Sequence, residues 1–227
     1  MKELRAYELA PNDLCFLLES CLRCYYLKLV AKVKQPSSSF PAHYTMIDSA
    51  MKRAFLDRAE GEFNEVGTLR FRVEKHNGYV KSIPIVFEDL GVSVAIRGTV
   101  DGFLQDDGEK RVLVDYKTHA SDLPKLLKYR KQLMAYRYAA ENPADPKKYP
   151  IRSIDRMGLI VFDESDFAFD ATGARFTGAL EWVEFDTDLT DFHALMARVA
   201  AVLALPEAPK AAESCEFCSY LAKSKAA

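Results

Sequence analysis

Val112-Leu113-Val114-Asp115-Tyr116-Lys117 is an apolar run that ends in charge. Its β-branched residues favour a strand. Successive strand side chains point to opposite faces, so Asp115 and Lys117 share one face and Tyr116 takes the other. Just upstream, Arg97-Gly98-Thr99-Val100-Asp101 places a second carboxylate in an apolar strand context, with Gly98 removing side-chain bulk three residues before it. Pairing of these two strands brings Asp101, Asp115 and Lys117 together. Taken singly, the fragments read as an ion pair on an exposed strand and an aspartate that begins a turn. The combination reads as chemistry.

Two carboxylates and a main-chain carbonyl, here Asp101, Asp115 and the carbonyl of Tyr116, form a ligand set for Mg²⁺ or Mn²⁺. Such a hard ion prefers oxygen ligands and keeps several waters, one of which can become a nucleophile. Lys117 beside it can stabilise charge on a phosphoryl transition state and orient or help deprotonate the water. Phosphodiester hydrolysis uses such a set.

The rest of the chain frames this pair of strands. Helical spacing through Leu14, Leu17, Leu18, Cys21, Tyr25 and Leu29 predicts a helix from Asn12 to about Val30. A Pro- and Ser-rich loop, Gln35 to Pro41, separates it from a second amphipathic helix, Thr45 to about Glu60, that ends at Gly61. Thr68–Val73, Ile83–Phe87, Val92–Leu104 and Val112–Lys117 read as strands separated by His-Asn-Gly, Asp-Leu-Gly and Asp-Asp-Gly turns, which predicts an antiparallel meander. A helix from Pro124 to Glu141, strands at Ile154–Phe162 and Leu180–Phe185, and a helix over Leu189–Leu205 follow. Pro206 to Glu213 reads as a short linker.

With 227 residues, 49% apolar, the chain can bury one good core, so residues 1–227 are expected to form a single domain. Lys and Arg number 31 against 33 Asp and Glu, a net charge of −2, so nucleic-acid binding has to rest on a local patch. Lys125 to Lys131, with Tyr129, and Cys24 to Lys28, with Tyr25 and Tyr26, mix basic and aromatic residues and are weak candidates against solvated charge and core packing. Apart from Leu14–Leu18, too short for a secretory core or a bilayer span, no apolar run lies near the amino terminus, and a cytoplasmic protein without a membrane anchor is expected. Four of the five cysteines form two Cys-x-x-Cys pairs, Cys21 with Cys24 and Cys215 with Cys218. Four thiolates so spaced suit Zn²⁺ or a [4Fe–4S] cluster. Cys15 reads as a buried apolar residue.

Gln132-Leu-Met-Ala-Tyr136 adds a Gln and a Tyr four apart on one helix face. Gly98-x-x-Asp101, Asp115-x-Lys117 and Gln132-x-x-x-Tyr136, in this order, resemble the RecB-type, CRISPR-associated exonuclease-like branch of the PD-(D/E)XK nucleases. The resemblance implies an α/β, restriction-endonuclease-like core with a central mixed sheet flanked by helices. It also implies a Mg²⁺-dependent deoxyribonuclease, exonuclease-like on single-stranded ends in DNA repair, recombination or defence, in which Gln132 and Tyr136 position the substrate or Lys117. A catalytically inactive nucleic-acid-binding module, or a nuclease subunit working with a helicase or other repair or defence protein, is the alternative. The branch carries a further metal ligand on an early helix, commonly His or Glu; Asp48 stands there, and His43 competes for the role. Its cysteines usually divide one and three around an iron–sulfur cluster. Here they divide two and two, and Ser224 stands at the position of a third downstream cysteine in the resemblance.

Overall fold

Two strand layers and the helices that cover them make up the described residues, which are 4–15, 17–33, 42–57, 62–74, 78–118, 123–150 and 152–226 of a computed structural model. In chain order they are β1 (Arg5–Leu9), a 3-10 turn (Pro11–Leu14), α1 (Leu17–Ser20), α2 (Leu22–Leu29), α3 (Ala42–Leu56), β2 (Asn64–Val66), β3 (Leu69–Glu74), β4 (Tyr79–Lys81) and β5 (Ile85–Phe87). After a second 3-10 turn (Glu88–Leu90) come β6 (Val92–Thr99), β7 (Gly102–Asp106), β8 (Arg111–Thr118), α4 (Leu123–Glu141), β9 (Arg156–Asp170), β10 (Gly173–Phe185), α5 (Thr190–Ala204) and α6 (Glu216–Ala226). The fold is α/β, with a central mixed sheet flanked by helices as expected.

That sheet has the order β10-β9-β8-β7-β3-β2. β8 and β9 are parallel, and the other neighbours are antiparallel. A parallel pair needs a long crossover, and α4 supplies it. A smaller sheet forms around β6, which pairs in parallel with β1 and antiparallel with β4 and β5.

β8 carries the logic of the core. Leu113 packs into the large cluster shared with β6, α4 and α5, whereas Val112, Val114 and Tyr116 point the other way, into a cluster with Met51 and Phe55 of α3. Phe55 stacks on Tyr116 with ring centroids 5.2 Å apart. Each such apolar side chain taken from water contributes about 1.5–3 kcal/mol. Asp115 and Lys117, in register with Leu113, therefore emerge on the α4 side.

Several expected elements divide differently. The single helix expected from Asn12 to Val30 is a 3-10 turn followed by α1 and α2, interrupted at Cys21, whose backbone is extended (φ −160°, ψ 109°). The run from Val92 to Leu104 is two strands in two sheets: Val100 donates its N–H to Gly78 O at 2.8 Å, and the chain turns there. The expected meander is therefore confined to β3, β7 and β8 with β2, and β3 precedes β7 across the β4 to β6 layer. β9 and β10 form one long hairpin, with a bulge at Thr177/Gly178. The Gln35–Pro41 loop, the helix end at Gly61 and the His76-Asn77 part of the first turn signal lie outside the described residues.

Candidate functional site

Asp101 lies in the tight connection between β6 and β7, and Asp115 and Lys117 lie near the end of β8. Because Gly102 pairs with Val114, the two aspartates come together. Asp101 Oδ2 accepts the backbone N–H of Tyr116 at 3.1 Å, which fixes its carboxylate against β8. Lys117 makes an ion pair with Asp115 Oδ2 and lies over the ring of Tyr129, 4.5 Å from its centroid.

α4 holds the other carboxylate oxygen. Gln132, buried to 3% exposure, donates from Nε2 to Asp115 Oδ1 at 3.0 Å. One turn on, Tyr136 donates its hydroxyl to Thr99 O at 2.8 Å. Gly98 makes that approach feasible: a Cβ there would lie 3.1 Å from Tyr136 Cε1 and 3.1 Å from Pro11 Cδ. Gln132 and Tyr136 thus touch the two motif strands, one through Asp115 and one through the backbone ahead of Asp101.

Burial of Asp115 pushes its carboxyl up, to about 7, against the attraction of Lys117. Burial also works against the charge on Lys117, but the Asp115 and Asp101 carboxylates outweigh it and hold that amine above its usual value. Apart from the ion pair with Lys117, Asp115 Oδ2 is buried with no hydrogen-bond partner. A hard oxygen with spare lone pairs, fixed beside a second carboxylate, suits a small divalent cation.

The early-helix residues divide. Asp48 borders a cleft of about 420 Å³ lined also by Asn12, Tyr44, Thr45, Tyr116, Lys117, Thr118 and Tyr129. His43 is exposed, with its ring 4.2 Å from that of Tyr44, and is not among the lining residues. Lys52, which the sequence reading passed over, joins the acidic residues: its Nζ lies 2.9 Å from Asp48 Oδ2 and 2.9 Å from Asp101 Oδ1. The i,i+4 spacing of Asp48 and Lys52 was the available signal for the first of these contacts.

The basic and aromatic runs are mostly absorbed by structure. Tyr25 and Tyr26 are buried in the core. On α4, Arg130 pairs with Asp186 and Asp191, and Lys131 pairs with Glu19 at 2.8 Å. Among the described side chains of that run, Tyr129 alone lines the cleft. The side chain of Lys125 is outside the described residues.

A second centre joins distant parts of the chain. Cys21 caps α2 and Cys24 lies in its first turn, while Cys215 and Cys218 stand at the start of α6. The four sulfurs lie within 4.8 Å of one another, and Cys24 Sγ is 3.6 Å from Cys215 Sγ and 3.4 Å from Cys218 Sγ. Burial tends to raise the Cys21 thiol, but hydrogen bonds to the backbone and the neighbouring cysteines bring it down to about 7. Helix N-termini favour thiolate on both sides. By composition and geometry the group could hold a metal ion. Cys15 is fully buried and is not a member of this group, and burial pushes its thiol up to about 12.

No helix among the described residues is long and apolar enough to cross a membrane. No curated protein matches the sequence. Among solved structures, one described as "Crystal structure of SSO0001" aligns over 95% of this chain and 84% of that one, at 15% identity and a TM-score of 0.42. The sequence profile of the PD-(D/E)XK nuclease superfamily matches residues 18–222, a span that contains both carboxylates, Lys117, Gln132, Tyr136 and all four clustered cysteines. The chain belongs to the PD-(D/E)XK nuclease superfamily, a family of metal-dependent nucleases.

Proposed function

We propose that this protein is a Mg²⁺- or Mn²⁺-dependent deoxyribonuclease of the RecB-type branch that shortens single-stranded DNA from free ends. The observation that carries the reading is the meeting of Asp101, Asp115 and Lys117 beside an open cleft. Asp101, Asp115 and the Tyr116 carbonyl would hold the ion, with Asp48 completing the set from α3. A divalent ion supplies charge neutralisation at phosphate and a more acidic water. Gln132 keeps Asp115 aimed, Lys117 stabilises charge building on the phosphoryl oxygens, and Tyr136 anchors the backbone ahead of Asp101. Tyr44 and Tyr129 line a cleft whose volume suits a small ligand, such as one nucleotide of a strand, and offer it aromatic faces.

The four thiolates would hold a structural metal. Sulfurs around one tetrahedral Zn²⁺ at its usual bond length lie about 3.8 Å apart, and the observed separations of 3.4, 3.6 and 3.9 Å support a single ion. Thiolates on the four irons of a [4Fe–4S] cluster stand farther apart. The setting we propose for it is a cytoplasmic role in repair, recombination or defence, alongside a helicase or related partner.

Cleavage of labelled single- and double-stranded DNA, with free and blocked ends, tests the proposal. Asp115→Ala and Lys117→Ala should abolish metal-dependent shortening while preserving the circular dichroism spectrum and DNA binding. Undiminished cutting by both variants removes the assignment. Wild-type protein that binds strands without shortening them in either ion is instead a binding module.

A further inference from the structure

We infer that Lys52 is a resident cation of the proposed metal site, competing with the divalent ion for Asp48 and Asp101 and giving way when the ion binds. The inference rests on the metal-site reading of Asp48, Asp101 and Asp115 given above.

Lys52 Nζ bridges the two carboxylates at 2.9 Å to each, a position between oxygens assigned to the ion. Its side chain is 31% exposed and those of Asp48 and Asp101 are 34% and 17% exposed, so the bridge is partly withdrawn from water and only weakly screened by salt. Among the described residues, the three carboxylates do not gather within 4.8 Å of one another as the four cysteines do. Two ammonium groups occupy the acidic cluster: Lys117 on Asp115, and Lys52 on the other pair.

The lysines differ in what surrounds them. Lys117 is held by the ring of Tyr129 as well as by Asp115 and cannot leave without uncovering buried charge. Lys52 is half-buried on α3, at the end of a four-carbon stem without an aromatic ring over it in the described contacts, and three rotatable donors can exchange carboxylate for water or a phosphate oxygen. Three acidic groups brought together without a cation would repel one another, so Lys52 also accounts for how the site folds before metal arrives.

The test uses the full chain and Mn²⁺ as probe, with free ion read by electron paramagnetic resonance. Lys52→Met should bind Mn²⁺ about tenfold or more tightly than wild type, since a charge within a few ångströms of the ion has been removed. Lys52→Arg, which keeps the charge, should bind like wild type. Equal or weaker binding by Lys52→Met overturns the inference. A measurement on unaltered protein guards against a variant that fails to fold: saturating Mg²⁺ should raise the acylation rate of Lys52 severalfold by peptide mass spectrometry, with Lys81, which pairs with Glu8, as the unchanged reference. Unchanged Lys52 labelling also overturns it. If wild type and Asp115→Asn take up Mn²⁺ equally poorly, the metal-site reading itself has failed; if wild type binds well and Lys52 is without effect, only the role of Lys52 has.

Discussion

Gln132→Leu removes one hydrogen bond and leaves the volume of the side chain nearly unchanged, so it isolates what α4 does for Asp115. Gln132 is buried, and its amide donates to Asp115 Oδ1 at 3.0 Å. A hydrogen bond to a charged group contributes about 1.5–3 kcal/mol, and outer-shell partners of metal ligands typically change affinity by about 10- to 100-fold. The variant should therefore bind Mn²⁺ about 10- to 100-fold more weakly at pH 8. The pH dependence should move as well. Burial pushes the Asp115 carboxyl of the wild type up to about 7, from the ordinary carboxylate range of about 4 in an unfolded chain. With the folded value raised, the metal-free fold binds more protons than the unfolded chain, so this group's stabilising contribution is present at low pH and is lost as pH rises from about 4 through 7. Metal binding runs the other way: it displaces that proton, so affinity and activity should climb up to about tenfold per pH unit below 7 and level off above it. Loss of the Gln132 donor disfavours the carboxylate further and shifts the midpoint upward. Isothermal titration across pH 6–9, with thermal melts as a folding control, measures both. An unchanged affinity and an unchanged midpoint in a folded variant would refute the account of Gln132.

Other outcomes follow from the packing. Gly98→Ala places a Cβ 3.1 Å from both Tyr136 and Pro11, and should cost about 1–3 kcal/mol and lower the Tm in a thermal melt. Leu133→Ala, at a fully buried position of α4, should cost about 2–5 kcal/mol in urea unfolding without altering the pH midpoint of metal binding. Treatment with a strong chelator, or Cys24→Ser, should expose the segment around α6 to limited proteolysis, because a structural metal held by the four cysteines would contribute on the order of 10 kcal/mol. Metal analysis of purified wild type should give one zinc per chain; a visible charge-transfer band with four irons would overturn the single-ion reading.

The site was legible in the sequence where side chains obey a short period. β8 announces itself because Val112, Val114 and Tyr116 alternate with Leu113, Asp115 and Lys117, and α4 and α5 because their apolar residues recur at helical spacing. What was hidden depended on partners far away in sequence. β1 is five residues long and β4 three, and both exist as strands by pairing with β6. Apart from Ala168, the described side chains from Ser165 to Thr177 in the outer half of the β9–β10 hairpin are exposed on both faces, so burial imposes no alternation there. The break at Val100 is decided by Gly78, twenty-two residues back, and the break at Cys21 turns that residue toward sulfurs nearly two hundred residues ahead. Lys52 was visible as a partner of Asp48 by spacing, but its bond to Asp101 needs the tertiary fold.

The alternation in β8 also works as a proofreading device. A slip of one residue against β7 or β9 would turn Asp115 and Lys117 into the grease beneath α3 and push Val114 and Tyr116 toward α4. A misaligned chain could not keep its core and lose only its proposed catalytic pair, because the same strand specifies both. Every molecule stable enough to persist has thereby passed inspection of the register of its proposed site.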